Sequence, residues 1–233
     1  MSGLTILIPF YNEQETLDKS VKRVIKYVDF DKVILINDNS SDNSPEIAKN
    51  ICSQNKNMIY INTEKNLGKG GALNFAKPHI TSKFIGIHDA DLEYDPKDLQ
   101  YLFKKMMSTQ NSDFGLGSRF LGKLERKNNY IRTYLANKFL SKLFSIVFNL
   151  KITDVATCYK IFTNDFFQNT IFNENGFTIE VEILSKYLKK YPDSLITEVP
   201  ISYSGRTYQE GKKIKFIDGI RYLTAICKFR FKN

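Results

Sequence analysis

The stretch Phe84-Ile85-Gly86-Ile87-His88-Asp89-Ala90-Asp91-Leu92-Glu93 decides how the fold of this chain is interpreted. A short apolar run, typical of a buried strand, ends in three carboxylates on alternate residues, Asp89, Asp91 and Glu93. Alternate side chains of extended backbone share one face, so all three are predicted to point into one crevice at the carboxyl end of the strand. A hard divalent cation would relieve their mutual repulsion, and Mg²⁺ commonly joins such carboxylates to a phosphate. We therefore interpret the stretch as a metal site rather than as a polar strand end exposed to water.

Strand and helix patterns alternate through the first half of the chain. Apolar runs that predict buried strands are separated by segments whose apolar residues recur at helical spacing, such as Leu17, Val21 and Val24. This alternation predicts an α/β fold with a mostly parallel, doubly wound sheet flanked by helices. The predicted strands cover residues 3–8, ended by Pro9, and residues 32–36, 58–61, 84–88 and 113–118.

Past Arg119 the pattern changes to longer basic and aromatic segments. The predicted elements are helices over residues 130–149 and 178–190, strands over 158–162 and 195–201, and a basic amphipathic helix over 214–231 at the C-terminal end. No repeat or low-complexity tract is visible. We expect a single domain over residues 1–233, with residues 1–119 and 120–233 as its two halves.

The net charge of +9 is unevenly distributed along the chain. Residues 117–151 hold eight Lys or Arg and one Glu, and residues 206–233 hold eight Lys or Arg and two acids. The two segments together carry +13, so the rest of the chain carries −4. A merely solvated surface explains the total but not this segregation. The two basic segments imply an anionic partner. This partner could be a nucleic acid, a membrane surface or a phosphorylated substrate.

The cysteines and the hydropathy of the sequence limit the cellular compartments in which the protein is expected. The three cysteines are widely spaced and form no C-x-x-C pair, so neither a disulfide framework nor a zinc ribbon is indicated and a reducing, cytoplasmic compartment is expected. The first residues run straight into a strand, without a basic leader or an apolar signal core. Residues 134–150, the best candidate for a membrane span, are interrupted by Asn and Lys, whereas a span needs about 20 mostly apolar residues. We expect a soluble or peripheral protein.

Polar residues follow the first two predicted strands as well as the acidic one. Tyr11 and Glu13 follow the first strand, and Asp38 follows the second. In a doubly wound sheet these strand ends converge on one crevice. A nucleotide fits there, because Tyr11 could stack on a base or ribose, Asp38 could accept hydrogen bonds from a base, and a metal on Asp91 could bind a diphosphate. Ordinary packing of Tyr11 and a turn-forming role for Asp38 are the simpler alternatives.

A glycine-rich turn, Asn66-Leu67-Gly68-Lys69-Gly70-Gly71, opens the third predicted helix. It is neither the G-x-G-x-x-G dinucleotide fingerprint nor a G-x-x-x-x-G-K-[ST] phosphate loop. Taken alone, it predicts only a close approach of backbone to a ligand.

Four motifs, in this order and at this spacing, resemble the large family 2 of inverting glycosyltransferases, which has the GT-A fold. They are Ile8-Pro9-Phe10-Tyr11-Asn12-Glu13, Asn37-Asp38-Asn39-Ser40-Ser41-Asp42, Asn66-Leu67-Gly68-Lys69-Gly70 and Asp89-Ala90-Asp91. Later stretches are similar to its dolichol-phosphate mannosyltransferase-like branch, which glycosylates polyprenyl phosphates. They are Gly117-Ser118-Arg119, Thr153-Asp154-Val155-Ala156-Thr157-Cys158-Tyr159-Lys160, and Glu198-Val199-Pro200-Ile201 followed by Arg206 and Lys212. The resemblance covers nearly the whole chain.

The resemblance implies a role for each matching position. Nucleoside contacts fall on Pro9, Tyr11, Glu13, Ile36 and Asp38, and contacts to the sugar nucleotide fall on Asp89 and Ala90. Asp91 matches the main ligand of Mg²⁺ or Mn²⁺, assisted by Asp89 and Glu93, and Arg119, Arg206 and Lys212 match positions that grip phosphate. Two positions depart from the family: Asn37-Asp38 replaces the usual acidic pair, and Glu93 stands where mannosyltransferases often carry Gln.

The resemblance implies transfer of one hexose, from GDP-mannose or UDP-glucose, to a polyprenyl phosphate. Residues 1–119 would bind the nucleotide sugar, with Asp89, Asp91 and Arg119 as catalytic residues, and residues 120–233 would face the acceptor and the cytoplasmic side of a membrane. An acceptor phosphate is already anionic and needs placement more than a strong base. Arg119 and Arg132, which flank a basic loop, are suited to hold it, because guanidinium binds phosphate through two hydrogen bonds.

Three alternatives remain open. A glycosyltransferase acting on a hydroxyl, in polysaccharide or glycolipid synthesis, needs a carboxylate base, for which Glu180 or Glu182 is available, although acids are also favoured at a helix start. A basic nucleic-acid-binding module belongs to a different class. We expect no nucleic acid partner, because the basic segments contain no recognisable binding motif and an acidic crevice repels phosphate. A non-catalytic protein that keeps only the fold is the third alternative, and the intact Asp89-Ala90-Asp91 argues against it.

Overall fold

Four parallel strands form one side of the central sheet, and a helix follows each of them. The computed structural model describes residues 3–127, 130–207 and 216–231, with the backbone alone for residues 216 and 217. In this half the elements are β1 (Leu4–Phe10), α1 (Leu17–Tyr27), β2 (Lys32–Asn37), α2 (Ser44–Ser53), β3 (Met58–Asn62), α3 (Gly68–Ala76), β4 (Phe84–Ile87) and α4 (Pro96–Ser108). Strands β1, β2 and β4 are almost wholly buried, as expected for apolar runs in a parallel sheet covered by helices.

The second half completes the sheet and adds the helices that border the site. Its elements are β5 (Ser112–Ser118), β6 (Arg126–Lys127), α5 (Ile131–Phe148), β7 (Lys160–Thr163), α6 (Asn164–Gln168), α7 (Ile179–Lys190), β8 (Leu195–Pro200), β9 (Tyr203–Ser204) and α8 (Phe216–Phe231). Strands β6 and β9 pair with each other in a separate two-stranded sheet.

The central sheet has seven strands in the order β3-β2-β1-β4-β7-β5-β8. Every neighbouring pair is parallel except those made by β7, which runs antiparallel to both β4 and β5. One hydrophobic core gathers buried residues from both halves of the chain. The prediction of a mostly parallel α/β sheet flanked by helices is confirmed.

Pro9 lies within β1 rather than after it, which corrects the predicted end of the first strand. The carbonyl of Leu7 accepts a hydrogen bond from the N–H of His88 on the β4 side, and that of Phe10 accepts from Asp38 on the β2 side. Backbone groups alternate between the two sides along a strand, so Pro9 faces the β4 side, beyond the last residues paired there. Its missing N–H therefore leaves no ladder hydrogen bond unmade.

The other differences concern the second half. The strand predicted over residues 158–162 forms as β7, but it enters the sheet between β4 and β5 and reverses direction. Helix α6 and the β6–β9 sheet have no counterpart among the predicted elements. The predicted C-terminal amphipathic helix is present as α8, whereas Lys212 lies outside the described residues. None of the helices in the described ranges is long and apolar enough to cross a membrane.

Candidate active site

The acidic stretch after β4 forms a turn and does not extend the strand. β4 ends at Ile87, and Leu92 has a φ of 64° in the left-handed region. Asp91 closes the turn, because its Oδ1 accepts a hydrogen bond from the N–H of Glu93 at 3.1 Å. The predicted arrangement of Asp89, Asp91 and Glu93 on one face is therefore wrong, since it requires extended backbone.

Glu93 holds the loop that follows β8 instead of facing a metal site. Its Oε2 accepts a hydrogen bond from the Tyr203 hydroxyl at 2.9 Å, and its Oε1 accepts one from the N–H of Arg206 at 2.8 Å. Across the part of the chain that the structure describes, no three His, Cys, Asp or Glu side chains are grouped so as to hold a metal ion. The predicted three-carboxylate metal site is therefore not formed. Asp89 and Asp91 remain as candidate ligands.

A guanidinium occupies the space between Glu13 and Asp91. Arg206 donates to Oε2 and Oε1 of Glu13 at 3.1 and 2.9 Å, and its Nη2 lies 3.2 Å from Oδ2 of Asp91. Burial raises the pKa of Asp91 to about 7, the charges of Glu93 and Asp89 add to this rise, and Arg206 offsets only part of it. Three carboxylates, those of Glu13, Asp91 and Glu93, contact this one arginine, an arrangement that a further cation would stabilise.

Asp89 lies at one end of a row of alternating charges. Nζ of Lys69 is 2.7 Å from Oδ1 of Asp89 and 2.8 Å from Oε1 of Glu180. Oε2 of Glu180 is in turn 2.6 Å from Nζ of Lys160, which is fully buried. Burial by itself would raise the pKa of Asp89, but the ammonium of Lys69 reverses that effect and lowers the pKa. Asp89 is therefore an ionised carboxylate on the floor of the site.

Asp38 fastens the glycine-rich turn to the end of β2. Its Oδ1 accepts hydrogen bonds from the N–H of Leu67 at 2.7 Å and from the Thr63 hydroxyl at 3.2 Å, and its Oδ2 accepts one from the N–H of Gly68 at 2.8 Å. A carboxylate here satisfies N–H groups at the start of α3 that have no partner within the helix. Asp38 lines the site, but the chain itself uses most of its acceptor capacity.

The glycines of this turn let backbone approach backbone, which corrects the predicted approach to a ligand. A Cβ on Gly70 would collide with the carbonyl of Glu174, and a Cβ on Gly68, whose φ is +70°, would collide with that of Asn175. The N–H of Lys69 donates to the Asn175 carbonyl at 2.9 Å. The turn therefore seats the start of α3 against the loop that precedes α7.

Arg119 is buried and held by Asp154. Its Nε and Nη2 donate to the two oxygens of that carboxylate at 2.7 and 2.9 Å, and its backbone N–H donates to Oδ2 at 3.0 Å. This is the two-bond geometry by which the guanidinium would grip a phosphate. Asp154 occupies the edge that would make this grip, and Arg119 also lines the cavity, so its role in holding phosphate stays a prediction.

His88 supports the acidic turn from beneath. Its Nε2 lies 2.9 Å from the Ser20 hydroxyl, and its Nδ1 lies 3.0 Å from the Tyr159 hydroxyl. Burial lowers the pKa of His88 to about 4. The imidazole is therefore neutral near pH 7, and its role is to join α1 to the segment before β7.

A cavity of about 600 Å³ joins these groups and runs from the ends of β1, β2 and β4 to a cleft between α5 and α8. Arg132, in the first turn of α5, is exposed at this cleft and forms no hydrogen bond or ion pair with another described residue. The predicted site residues that line the cavity are Pro9, Tyr11, Glu13, Asp38, Asp89, Ala90, Asp91, Glu93, Arg119, Arg132 and Arg206.

Two predicted contacts are not among the lining residues. Ile36 is fully buried within β2, where helices cover a strand on both faces, so its side chain does not reach the cavity. Lys212 falls in the part of the chain that the structure does not describe.

Sequence reasoning missed Lys69, Lys160, Asp154 and Tyr203 as members of the site. Lys160 carried a usable signal, because it directly precedes the apolar pair Ile161-Phe162 and a lysine in such a strand needs a carboxylate partner. The identity of that partner has no signal in the sequence, since Glu180 lies 20 residues away on another element.

Known proteins resemble this chain in sequence. The profile of the family described as glycosyl transferase family 2 matches residues 5–170. The chain is similar to the dolichyl-phosphate beta-glucosyltransferase of Trichomonas vaginalis, with 25% identity over 97% of this chain and 72% of that protein. It is also similar to the low-salt glycan biosynthesis hexosyltransferase Agl6 of Haloferax volcanii, with 24% identity over 94% of this chain. The chain spans 52% of that second relative.

Solved structures resemble it in fold. Glucosyl-3-phosphoglycerate synthase from Mycobacterium tuberculosis superposes with a TM-score of 0.74, over 97% of this chain and 79% of that one, at 14% identity. At such identity the likeness establishes the fold alone, which is the GT-A arrangement. The family profile covers well over half of the chain and includes the acidic turn and the strand ends that line the cavity. The chain therefore belongs to glycosyl transferase family 2.

Proposed function

We propose that this chain transfers one hexose from a nucleotide sugar to a polyprenyl phosphate, with inversion at the anomeric carbon. The observation that carries the proposal is the change in composition along the cavity. Its inner end, at the ends of β1, β2 and β4, is rich in carboxylates, whereas its outer end, between α5 and α8, is lined mainly by apolar side chains, with Arg132 and Asp218 as the charged residues. A metal-bound diphosphate fits the inner end, and a phosphate on a hydrocarbon chain fits the outer end.

The nucleotide sugar is assigned to residues 1–119. Tyr11 is 41% exposed where β1 ends, and Pro9 lies beside it on the cavity wall, so the ring can stack on a base or ribose. Similarity to a dolichyl-phosphate beta-glucosyltransferase favours UDP-glucose over GDP-mannose as the donor.

The inner end of the cavity fits a divalent cation. Among the described lining residues outside α5 and α8, six carboxylates face three basic side chains. Asp91 and Asp89 supply the hard oxygen ligands that Mg²⁺ or Mn²⁺ takes, and the structural neighbour crystallises with Mn²⁺ and UDP-glucose. Such a cation would stabilise the negative charge that develops on the leaving nucleoside diphosphate.

Residues 120–233 are assigned to the acceptor. Arg132 presents a guanidinium to the cleft that no other described residue neutralises, and Arg119 adds its free edge from the wall. Phe139 of α5 and Leu223 of α8 line the same cleft and offer apolar surface to a prenyl chain. The main role of these residues would be to hold the acceptor phosphate close to the anomeric carbon.

The acids that a hydroxyl acceptor would need are already bound by the chain. Both oxygens of Glu180 contact lysines. Glu182 lies off the cavity and accepts hydrogen bonds from the N–H groups of Asn173 and Glu174 at 2.8 to 3.0 Å. A phosphate acceptor is ionised near neutral pH and needs no base to activate it. This favours a phosphate over a hydroxyl acceptor.

A membrane surface is the proposed source of the lipid acceptor. Ile131, Leu135, Phe139 and Ile146 recur along one side of α5 and are 58% to 69% exposed. Exposed lysines of the same helix flank this stripe. An amphipathic surface of this kind lies in a membrane interface, where Lys and Arg attract anionic headgroups. We propose that the chain binds peripherally, on the cytoplasmic face.

The test is transfer of radiolabelled sugar to a short-chain polyprenyl phosphate in detergent, from UDP-glucose and separately from GDP-mannose, with Mn²⁺, Mg²⁺ or EDTA. We expect a lipid-linked product from one donor, no product in EDTA, and a loss of about 100-fold in Asp91→Asn. Asp113→Asn, an exposed aspartate outside the cavity, is the control and should match the wild type.

Three results would contradict the proposal. Transfer to a hydroxyl acceptor alone would replace the acceptor class and return Glu180 to consideration as a base. Undiminished transfer by Asp91→Asn would contradict the metal assignment. Binding of nucleic acid in EDTA, without transfer from either donor, would favour the class of basic nucleic-acid-binding modules.

A further inference from the structure

A row of four alternating charges, Asp89, Lys69, Glu180 and Lys160, leads from the cavity into the core. We infer that Lys69 and Glu180 are positioning residues of the donor site, which fix the carboxylate of Asp89, and that Glu180 does not act as a catalytic base. The inference rests on the proposed function, since it concerns how the donor site is held. Its test measures nucleotide binding, and so does not depend on the acceptor.

The row has one accessible end and one inaccessible end. The exposed fraction of the side chain falls from 26% for Asp89 to 19% for Lys69, 5% for Glu180 and 0% for Lys160. Asp89, Lys69 and Glu180 all line the cavity, whereas Lys160 lies behind them. Asp89 is the most exposed of the three, so a ligand in the cavity meets its carboxylate first.

Lys69 is fixed at both ends of its side chain. Its ammonium contacts Asp89 and Glu180 at 2.7 and 2.8 Å, which uses two of its three donors. Its backbone N–H is bonded to the Asn175 carbonyl, and the adjacent Gly70 is pressed against the same loop. Lys69 therefore holds Oδ1 of Asp89 at one place relative to α3.

Glu180 is fixed by the need of Lys160 for a counter-charge. The buried ammonium of Lys160 contacts Oε2 of Glu180 at 2.6 Å and also donates to the carbonyls of Val155 and Thr157. Carbonyls accept its protons but do not neutralise its charge. Removal of the Glu180 carboxylate would leave this ammonium buried and unpaired, which is strongly unfavourable. Both oxygens of Glu180 are engaged by lysines, so its geometry is that of a structural counter-charge.

The row also connects distant parts of the chain beneath the donor site. Lys69 and Glu180 are 111 residues apart, on α3 and α7. Asp89 follows β4, and Lys160 begins β7, the strand that pairs antiparallel with β4. The position of Asp89 is therefore set by four elements of both halves, and loss of any inner member should loosen it.

The experiment is calorimetric titration of the full chain with UDP or GDP in the presence of Mn²⁺, using whichever nucleotide the wild type binds. Lys69→Met and Glu180→Gln should each weaken binding at least about tenfold. The double variant should bind no worse than the weaker single variant, because both changes break the same row. The control pair is Lys49→Met and Glu46→Gln, an exposed lysine–glutamate contact on α2, which should leave binding unchanged.

Folding is controlled by two further measurements. Lys69→Met leaves the Lys160–Glu180 pair intact but removes the counter-charge of Asp89, so its thermal midpoint should fall while a single cooperative unfolding transition shows that the chain still folds. If Glu180→Gln does not fold, the neutral double replacement Lys160→Met with Glu180→Gln removes the unpaired charge and serves in its place.

The outcomes distinguish a positioning role of Glu180 from a role as a base. They also distinguish failure of this inference from failure of the proposed function. A base would be revealed by a Glu180→Gln chain that binds nucleotide as the wild type does and loses only kcat, which would overturn the inference. Wild-type binding by Lys69→Met would overturn it equally. Absence of nucleotide binding by the wild-type chain would instead overturn the proposed function, and the inference with it.

Discussion

Arg206 shows how a single residue manages the crowded carboxylates of the site. Its guanidinium bonds to both oxygens of Glu13 and lies 3.2 Å from Asp91, and its N–H bonds to Glu93. Arg206 therefore connects the segment after β1 to the acidic turn that follows β4. A divalent cation bound at Asp91 would compete with this guanidinium for the carboxylate, while Arg206 would keep its two hydrogen bonds to Glu13.

Asp91→Asn should stabilise the folded chain at pH 8 and leave its stability unchanged near pH 4. The pKa of Asp91 rises from its ordinary 3.8 to about 7 in the folded chain. Between these values the folded state retains a proton that the unfolded state has released, so stability falls as pH rises, by at most about 4 kcal/mol. That pKa already includes the attraction of Arg206, so Asn removes the whole remaining cost, and we expect a gain of about 2–4 kcal/mol at pH 8. Urea denaturation of both chains at the two pH values measures it.

The control for this prediction is Asp113→Asn, which replaces an exposed aspartate and should change stability by less than about 0.5 kcal/mol at either pH. A gain in stability by Asp91→Asn together with lost transfer is the usual signature of an active-site group. An Asp91→Asn chain that is less stable than the wild type at pH 8 would show that Arg206 compensates the carboxylate fully.

Residue contacts were the least predictable part of the site. Asp91, Asp89 and Glu13 are brought together as expected, because parallel strands place their carboxyl ends at one edge. The direction of each side chain was not predictable. Glu93 faces Tyr203 because Leu92 adopts a left-handed φ, and no residue type at that position signals such a turn.

Among the elements, the contact between the start of α3 and the loop before α7 positions part of the site. Asp38 caps the start of α3, and the glycine-rich turn brings this start against the carbonyls of Glu174 and Asn175. Lys69 projects from the same turn into the charged row. The position of a side chain that a donor would depend on is therefore decided by backbone contact between two elements.

Gly70→Ala should destabilise the chain by about 2–4 kcal/mol, because the added Cβ collides with the Glu174 carbonyl and backbone must shift to accommodate it. Gly176→Ala is the matched control in the neighbouring loop, where a Cβ would meet no atom within 4 Å. Chemical denaturation of the two variants measures the difference. Equal stability of both would contradict the account of this turn.

The segments that form strands were predictable from the sequence, but the order of the strands in the sheet was not. The runs of β1, β2, β3, β4, β5 and β8 mark strands because each is a short segment rich in apolar residues with turn residues around it. The run that forms β7 is also predicted as a strand, yet it lies antiparallel between β4 and β5. A hydrophobic pattern indicates which residues are buried. It does not indicate the direction of a strand in the sheet or the strands with which it pairs.

In the whole molecule, the acidic and basic residues that are unevenly distributed along the sequence lie in different places. Carboxylates gather at the inner end of the cavity, while α5 contributes Arg132 to its outer end and exposed lysines to the adjoining surface. The cavity therefore has an acidic inner end and an apolar outer end that carries Arg132 and Asp218, beside a surface with exposed lysines. Family membership and the GT-A fold were predicted from ordered motifs and are confirmed. The assignment of the halves 1–119 and 120–233 to donor and acceptor stays a prediction.

Leu135→Glu should weaken binding of the chain to vesicles that contain anionic phospholipid by about tenfold or more, because it places a carboxylate on the exposed apolar stripe of α5. Leu135 is 58% exposed, so the change should not affect folding. Met107→Glu is the matched control, since Met107 is 53% exposed on α4 and does not line the cavity. Sedimentation with vesicles at low and high salt measures binding, which should fall with salt if the basic residues contribute. Equal loss in both variants would place the contact elsewhere, and equal retention would show that α5 does not face the membrane.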